Sequence, residues 1–167
     1  MQKPGFQANL LDRSSRACAH LAAVFIIATM AARCDATLPL VLIVEDDPET
    51  RHFYSRALES AGFRTAQAHN GYQALDKAFA ALPDLIIADI AIPGMDGIEL
   101  CRRLRADARS QAVPLLAITG YGDRQYEDRA RAAGADQVLI KPCAVDVLVE
   151  EARRLVTVRV ALNKLAG

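Results

Sequence analysis

Short apolar runs alternate with longer amphipathic segments from Pro39 to the end of the chain. The runs LVLIV (40–44) and DLIIAD (84–89), the latter apolar between its two aspartates, are typical of strands covered on both faces. Apolar residues recur at helical spacing in the segments between the runs. Five strands alternating with five helices predict an α/β fold, with a doubly wound five-stranded parallel sheet, helices on both faces and right-handed crossovers.

The same pattern gives approximate limits for the elements. Strands are predicted at 40–44, 64–69, 84–89, 113–119 and 136–140, of which the second is weaker and suits a sheet edge. Helices are predicted at 48–61, 71–82, 98–107, 126–133 and 145–165. Two helices carry apolar residues at helical spacing that we expect to be buried: Phe53, Ala57, Leu58 and Ala61 on the first, and Val147, Leu148, Ala152, Leu155 and Val156 on the last.

We predict an N-terminal extension over residues 1–38 and a folded domain with a long C-terminal helix over residues 39–167. The extension contains an almost entirely apolar run at 17–32 behind two arginines, shorter than the roughly 20 apolar residues of a membrane span. Three interpretations remain open: an export signal or membrane anchor, a helix packed on the domain or a partner, or a mis-called start upstream of Met30.

Charge and cysteine content narrow the function classes. Twenty basic and twenty acidic residues cancel, so the chain lacks the broad basic field of a non-specific nucleic-acid binder, and we expect no direct contact with nucleic acid. The four cysteines form no CxxC motif and no Cys/His cluster, which argues against a zinc site or a disulfide framework. Reduced thiols in a cytoplasmic protein are the simpler interpretation.

Reactive side chains stand where four of the predicted strands end. They are Glu45, Asp46 and Asp47 after the first strand, Asp89 after the third, Thr119 after the fourth and Lys141 after the fifth. Ligands of such sheets bind beyond the carboxyl ends of the strands, so these groups are expected to converge. Asp47 also stands directly before Pro48, where it is expected to cap the first helix.

Converging carboxylates need compensating positive charge, because like charges about 4 Å apart repel by about 4 kcal/mol at an intermediate dielectric. Lys141 supplies one positive charge, and a divalent cation is the natural second. Oxygen ligands favour Mg²⁺, with Mn²⁺ as an alternative. Beside a metal, Asp89 is equipped to attack phosphorus as a nucleophile, while Lys141 and Thr119 stabilise the phosphoryl oxygens.

The segments VLIVEDDPETR, DLIIADIAIPGMDG, LLAITGYG and VLIKP resemble, in order, the four signatures of receiver domains of bacterial two-component response regulators. The spacing is also similar, with 30 positions from Asp89 to Thr119 and 22 from Thr119 to Lys141. The resemblance covers about residues 39–157. It implies a flavodoxin-like sheet with strand order 2-1-3-4-5.

The resemblance also implies a role for each matching position. Asp89 is the expected phosphoacceptor, with Thr119 and Lys141 as catalytic partners. The expected Mg²⁺ ligands are Glu45, Asp46, Asp89 and the backbone carbonyl of Ala91, with Asp46 preferred as a direct ligand because Arg51 follows five residues later. Asp47 and Pro142 are supporting residues, and the Lys141–Pro142 bond is expected to be cis.

Two positions depart from the family pattern. Val138 stands where a switching Tyr or Phe is usual, and Cys143 replaces the usual Phe after Lys-Pro. These departures leave open a pseudo-receiver that acts as a protein-interaction scaffold without phosphotransfer. A phosphohydrolase is a third hypothesis, but such enzymes usually carry a second acid at the position of Ala91.

The resemblance implies a cytoplasmic, stand-alone signalling switch that is not an enzyme apart from catalysing its own phosphorylation and dephosphorylation. A sensor histidine kinase or a phosphotransfer protein would supply the phosphoryl group, and a downstream protein effector would respond. A membrane partner is not expected.

Overall fold

The structure is a computed structural model that describes residues 38–120, 122 and 124–166, with side chains up to residue 162. The predicted extension over residues 1–38, with its apolar helix at 17–32, lies outside the described residues apart from Leu38. Within the described part of the chain, none of the helices combines the length and apolar character that a membrane crossing requires.

Five parallel strands form one sheet in the order β2-β1-β3-β4-β5, as predicted. The strands are β1 (Leu40–Val44), β2 (Arg64–Ala68), β3 (Leu85–Asp89), β4 (Leu115–Thr119) and β5 (Gln137–Ile140). Every residue of β3 and β4 is buried, whereas β2 lies at an edge with four of its five residues at least partly exposed. The continuous apolar runs therefore occupy the centre of the sheet, where both faces are covered.

Helices connect the strands in strict alternation. They are α1 (Pro48–Ser60), α2 (Gly71–Ala81), α3 (Gly97–Ala106), α4 (Arg124–Ala132) and α5 (Val145–Ala166). Side chains cap three of them, because Asp47, Asn70 and Asp96 each accept a hydrogen bond from the backbone N–H three residues later. The predicted cap at Asp47 is therefore confirmed, with 2.7 Å from its carboxylate to the Thr50 nitrogen.

Two apolar layers cover the sheet. One face packs against α2, α3 and α4, with Ala74, Leu100 and Ala130 among its buried residues. The other face packs against α1 and α5, with Leu58 and Leu148 buried. This wrapping leaves the carboxyl ends of the strands and the loops that follow them as the functional edge of the sheet.

The predicted buried faces of α1 and α5 fail at Phe53 and at Val147, and Ala57 and Ala61 of the α1 face are only half-buried. Phe53 is 57% exposed, and its neighbour Tyr54 occupies the interior with 6% exposure. Val147 is 42% exposed, while Leu148 is fully buried. The buried face of α1 is therefore rotated by about one residue from the face that the apolar pattern suggests, whereas Leu148, Ala152, Leu155 and Val156 of α5 are buried as predicted. Contact with the sheet, rather than the longest apolar series, decides which residues of α1 are inside.

Truncation of Leu58 and of Phe53 should therefore have very different effects on stability. Leu58→Ala is expected to lower the free energy of unfolding by about 3 kcal/mol, since it removes a fully buried side chain and leaves a cavity. Phe53→Ala is the matched control on the same helix and should cost less than about 1 kcal/mol, chiefly from its ring contact with Tyr54. Urea unfolding of both variants measures the difference, and equal losses would contradict the exposed position of Phe53.

Candidate functional site

The parallel strand order brings the predicted site residues to one edge of the sheet. Glu45 and Asp46 directly follow β1, Asp89 ends β3, and Lys141 directly follows β5. The register pairs Asp89 with Ile118 and Thr119 with Ile140, so the ends of β3, β4 and β5 lie almost level.

Lys141 bridges the two buried carboxylates of the acidic group, Glu45 and Asp89. Its Nζ lies 2.7 Å from Oε2 of Glu45 and 2.6 Å from Oδ2 of Asp89. Glu45 is 3% exposed and Asp89 is 6% exposed, so both carboxylates lie largely out of water, while the Lys141 side chain is 27% exposed. The other oxygen of Asp89, Oδ1, accepts a hydrogen bond of 2.9 Å from the Ala91 backbone N–H. Asp89 is thus held from both sides.

For both Glu45 and Lys141, burial shifts the pKa in one direction, and the hydrogen bonds and charge between the partners shift it in the other. Burial raises the pKa of the Glu45 carboxyl above its ordinary value, although the hydrogen bond and the charge of Lys141 oppose the rise. Burial lowers the pKa of Lys141, but the hydrogen bonds to Asp89 and Glu45 outweigh it, and the net pKa is raised. Lys141 is therefore a firmly protonated ammonium. Its positive charge alone does not bring the pKa of Glu45 back to the ordinary value of a glutamate.

A third carboxylate completes the acidic group. Glu45, Asp46 and Asp89 each place one oxygen within 4.8 Å of the others, and Asp46 is the exposed member. Arg51 donates from Nη1 to the backbone carbonyls of Glu45, at 2.7 Å, and Asp46, at 3.1 Å, which fixes the loop that carries both acids. Three carboxylates against one ammonium leave an excess of negative charge, and the donors are all oxygen. This chemistry fits a hard divalent cation such as Mg²⁺.

The remaining predicted residues border this group. Thr119 is fully buried at the end of β4, and its carbonyl accepts a 2.7 Å hydrogen bond from the Lys141 backbone N–H. The Lys141–Pro142 bond is cis, as predicted. The Ala91 N–H contacts Asp89, whereas the role of its carbonyl as a metal ligand stays a prediction. Asp47 turns its carboxylate to the start of α1 instead, where a hydrogen bond from Thr50 lowers the pKa of this acid.

Sequence reasoning missed Tyr54, which lies beside the site. Its hydroxyl is 3.9 Å from Sγ of Cys143, and burial raises its pKa to about 12. Both side chains, with Phe53, Lys141 and Pro142, line an open pocket of about 460 Å³. Tyr54 lies four positions before the buried Leu58, a helical spacing that could have identified it as an inward residue. Phe53 has the same spacing to Ala57, and the prediction followed that series instead.

A protein-family model, that of the response regulator receiver domain, matches residues 41–153. Among curated relatives, the polar-differentiation response regulator DivK of Brucella anthropi is 33% identical over 110 residues, which cover 66% of this chain and 89% of DivK. The DNA-binding dual master transcriptional regulator RpaA of Synechocystis sp. is 36% identical over 118 residues. That match covers 71% of this chain but only 49% of RpaA, so the chain spans about half of that relative's length.

A solved structure adds a match in three dimensions. The receiver domain of the sensor histidine kinase PA1611 from Pseudomonas aeruginosa PAO1, which has a magnesium ion coordinated in its active site cleft, has a TM-score of 0.68 and 27% sequence identity. The match covers 72% of this chain and 99% of that domain. RpaA is named as a DNA-binding regulator, so the relatives give no support to the expectation that nucleic acid is absent among the partners.

Proposed function

The chain belongs to the response regulator receiver domain family, and on that premise we propose that it is a phosphorylation-dependent signalling switch whose phosphoacceptor is Asp89. The observation that carries the proposal is the bridge that Lys141 makes between Glu45 and Asp89, with Asp46 alongside. Receiver domains are signalling switches, and this arrangement supplies the nucleophile, the ammonium and the acidic group that phosphoryl acceptance requires.

In the proposed reaction, a carboxylate oxygen of Asp89 attacks the phosphorus of a phosphohistidine. The new O–P bond makes an acyl phosphate, while the P–N bond breaks and its electron pair leaves with the imidazole, which takes up a proton. Lys141, already 2.6 Å from Asp89, offsets charge on the phosphoryl oxygens, and the Thr119 hydroxyl donates a hydrogen bond to one of them. Later hydrolysis of the acyl phosphate would reset the switch.

Glu45, Asp46, Asp89 and the Ala91 carbonyl would hold Mg²⁺, with Mn²⁺ as an alternative. When bound, the ion would neutralise part of the charge of the carboxylates and of the phosphoryl group. Asp46 is the preferred direct ligand, because it is exposed and makes no ion pair with Lys141, whereas Glu45 is engaged by that lysine.

The added charge of the phosphoryl group, about −1.5 to −2, is expected to draw Thr119 and Lys141 inward and to bias the surface around β4 and β5. A sensor histidine kinase or a phosphotransfer protein would be the donor, and a downstream protein effector would read the change. Because such a donor obtains its phosphoryl group from ATP, the proposed location is the cytoplasm.

A pseudo-receiver scaffold is the second hypothesis, and one observation favours it. Val138, at the position where an aromatic switch residue is usual in the family, is 7% exposed and packs in the apolar layer with α4 residues. A valine there cannot move a ring between buried and exposed positions. The intact acidic group and Lys141 favour the switch.

Beryllofluoride, a mimic of the phosphoryl group, should separate the two hypotheses. We expect it to stabilise the protein only when Mg²⁺ is present, by about 2.7 kcal/mol at a concentration a hundred times its dissociation constant. Asp46→Asn should reduce this gain, because it removes one charged metal ligand. Thermal unfolding with and without Mg²⁺, at matched ionic strength, measures the gain.

The control variant is Asp76→Asn, which changes an exposed carboxylate on α2 in the same way and should leave the gain intact. A scaffold predicts no Mg²⁺-dependent gain in any of the three proteins. A gain that Asp46→Asn leaves at the parent value would refute the metal assignment while retaining the phosphoryl site.

A further inference from the structure

The distal part of α5 presents an apolar face beyond the core. Leu155, Val158 and Leu162 follow one another at spacings of three and four, which places them on one side of the helix. Leu155 is 6% exposed and packs on the sheet, whereas Val158 is 47% exposed and Leu162 is 60% exposed. The face that anchors α5 therefore continues for two turns without cover from the described part of the chain.

This face forms one wall of a groove, which we call the α5 groove. The groove has a volume of about 440 Å³, enough for a few side chains, and its apolar lining includes Pro114, Leu155, Val158 and Leu162. Pro114 directly precedes β4, and Asp136, also in the lining, directly precedes β5. The groove therefore lies toward the amino ends of these strands, at the edge opposite Asp89.

The rim of the α5 groove is basic, with three arginines against one aspartate. Arg105 is committed to the fold, because it pairs with Asp136 at 2.7 Å and also donates to backbone carbonyls. Arg154 is exposed, and within the described part of the chain its carboxylate partner is Glu151, one turn earlier on the same helix. Arg159 donates to the carbonyl of Pro83, and no carboxylate of the described residues pairs with it.

We infer that the α5 groove binds an acidic amphipathic segment of a partner protein. Apolar side chains of the segment would cover Val158 and Leu162, and its carboxylates would pair with Arg154 and Arg159. Apolar cover supplies affinity, while complementary charge selects the partner and speeds association. The site is separate from Asp89, so the inference goes beyond the proposed phosphoryl switch and does not depend on it.

Two other occupants fit the groove less well. A second copy of the chain, docked by the same face, would bring its own Arg154 and Arg159 against those of the first copy, and like charges repel. Nucleic acid would find, among the described lining residues, only Arg154 and Arg159 not paired with Asp136, beside an apolar floor, and the chain as a whole has no net charge.

The test uses the full chain as bait for a random peptide library displayed on phage. We expect the enriched peptides to combine acidic residues with apolar residues at helical spacing. A synthetic copy of the most enriched peptide should bind the parent, and Leu162→Asp should weaken that binding about tenfold or more, since it removes apolar cover and adds a like charge. Arg159→Gln should weaken it less and should reduce its dependence on salt.

Val160→Asp is the matched control, because Val160 is 45% exposed on the same helix and does not line the groove. It should change the affinity less than about twofold. Peptides without acidic enrichment, or peptides that bind the Leu162→Asp chain as tightly as the parent, would overturn the inference. A dimer in sedimentation that Leu162→Asp dissociates would assign the face to a second copy, and binding of duplex DNA lost in Arg159→Gln would assign it to nucleic acid.

Discussion

Replacement of Asp89 by asparagine is expected to abolish phosphate incorporation from radiolabelled acetyl phosphate and Mg²⁺. An amide has no anionic oxygen with which to attack phosphorus, so the acyl phosphate cannot form. The side chain keeps its shape and can still accept the hydrogen bond that the Ala91 N–H gives to Oδ1. Lys141 retains its ion pair with Glu45, so the fold should tolerate the change.

Asp96→Asn is the control for this experiment. Asp96 lies in the loop after Asp89 and caps α3 by accepting a hydrogen bond from Glu99, a role that asparagine fills equally well. This variant should label to the extent of the parent, and the label should be released by hydroxylamine, as expected of an acyl phosphate. Labelling of Asp89→Asn to the parental extent would place the phosphoacceptor elsewhere and refute the proposed function.

The sheet was predictable because its signal is local and redundant. Apart from β2, the strands are short apolar runs with a polar residue at or directly after their end, and the predicted limits of all five strands agree with the structure within two residues. A strand such as β3 is buried on both faces, so its prediction needs no alternation of polar and apolar residues, and the apolar run alone is a sufficient signal. The order of the strands followed from resemblance to a family, since an apolar run does not identify its neighbours.

The faces of the outer helices were less predictable. Phe53 and Tyr54 are adjacent aromatic residues, and either could lie on the same apolar face of α1 as Leu58. Which of them is buried depends on how α1 rests on the sheet and on the side chain opposite, Cys143, which Tyr54 contacts. That partner is 89 residues away in the sequence, so local periodicity carries no information about it.

The site was predictable to the level of the strand ends but not of individual contacts. Parallel strands bring their carboxyl ends together, so Asp89 and Lys141 had to lie near one another once the sheet was assigned. Three consecutive acids give no indication of which one turns inward. The structure buries Glu45 against Lys141 and leaves Asp46 exposed, a division that depends on how the chain leaves β1.

Gly97→Ala is expected to be the most damaging single-methyl change in the segment that runs from the end of β3 into α3. Gly97 is the first residue of α3, and its N–H donates to the Ile90 carbonyl at 3.0 Å. A Cβ at this position would lie 2.7 Å from Cα of Ile90 and closer still to the Asp89 carbonyl oxygen. Both obstacles are backbone atoms, which cannot rotate away as a side chain can, so either α3 or the end of β3 must shift.

The shift should have two measurable consequences. Crowding at a buried junction is expected to lower the free energy of unfolding by about 3 kcal/mol, which urea unfolding would measure. Displacement of Asp89 from Lys141 by about 1 Å should slow labelling by acetyl phosphate about a hundredfold in the protein that remains folded. The two effects are separable, because the labelling rate can be normalised to the folded fraction.

Gly122→Ala provides the comparison, since a Cβ there would meet Cγ2 of Ile140 at 3.8 Å, an ordinary contact. It should change stability by less than about 0.5 kcal/mol and leave the labelling rate near that of the parent. If Gly97→Ala were as stable and as active as Gly122→Ala, the close approach of α3 to the backbone of Asp89 would be wrong. The prediction that labelling of Asp89 depends on this contact would then be refuted as well.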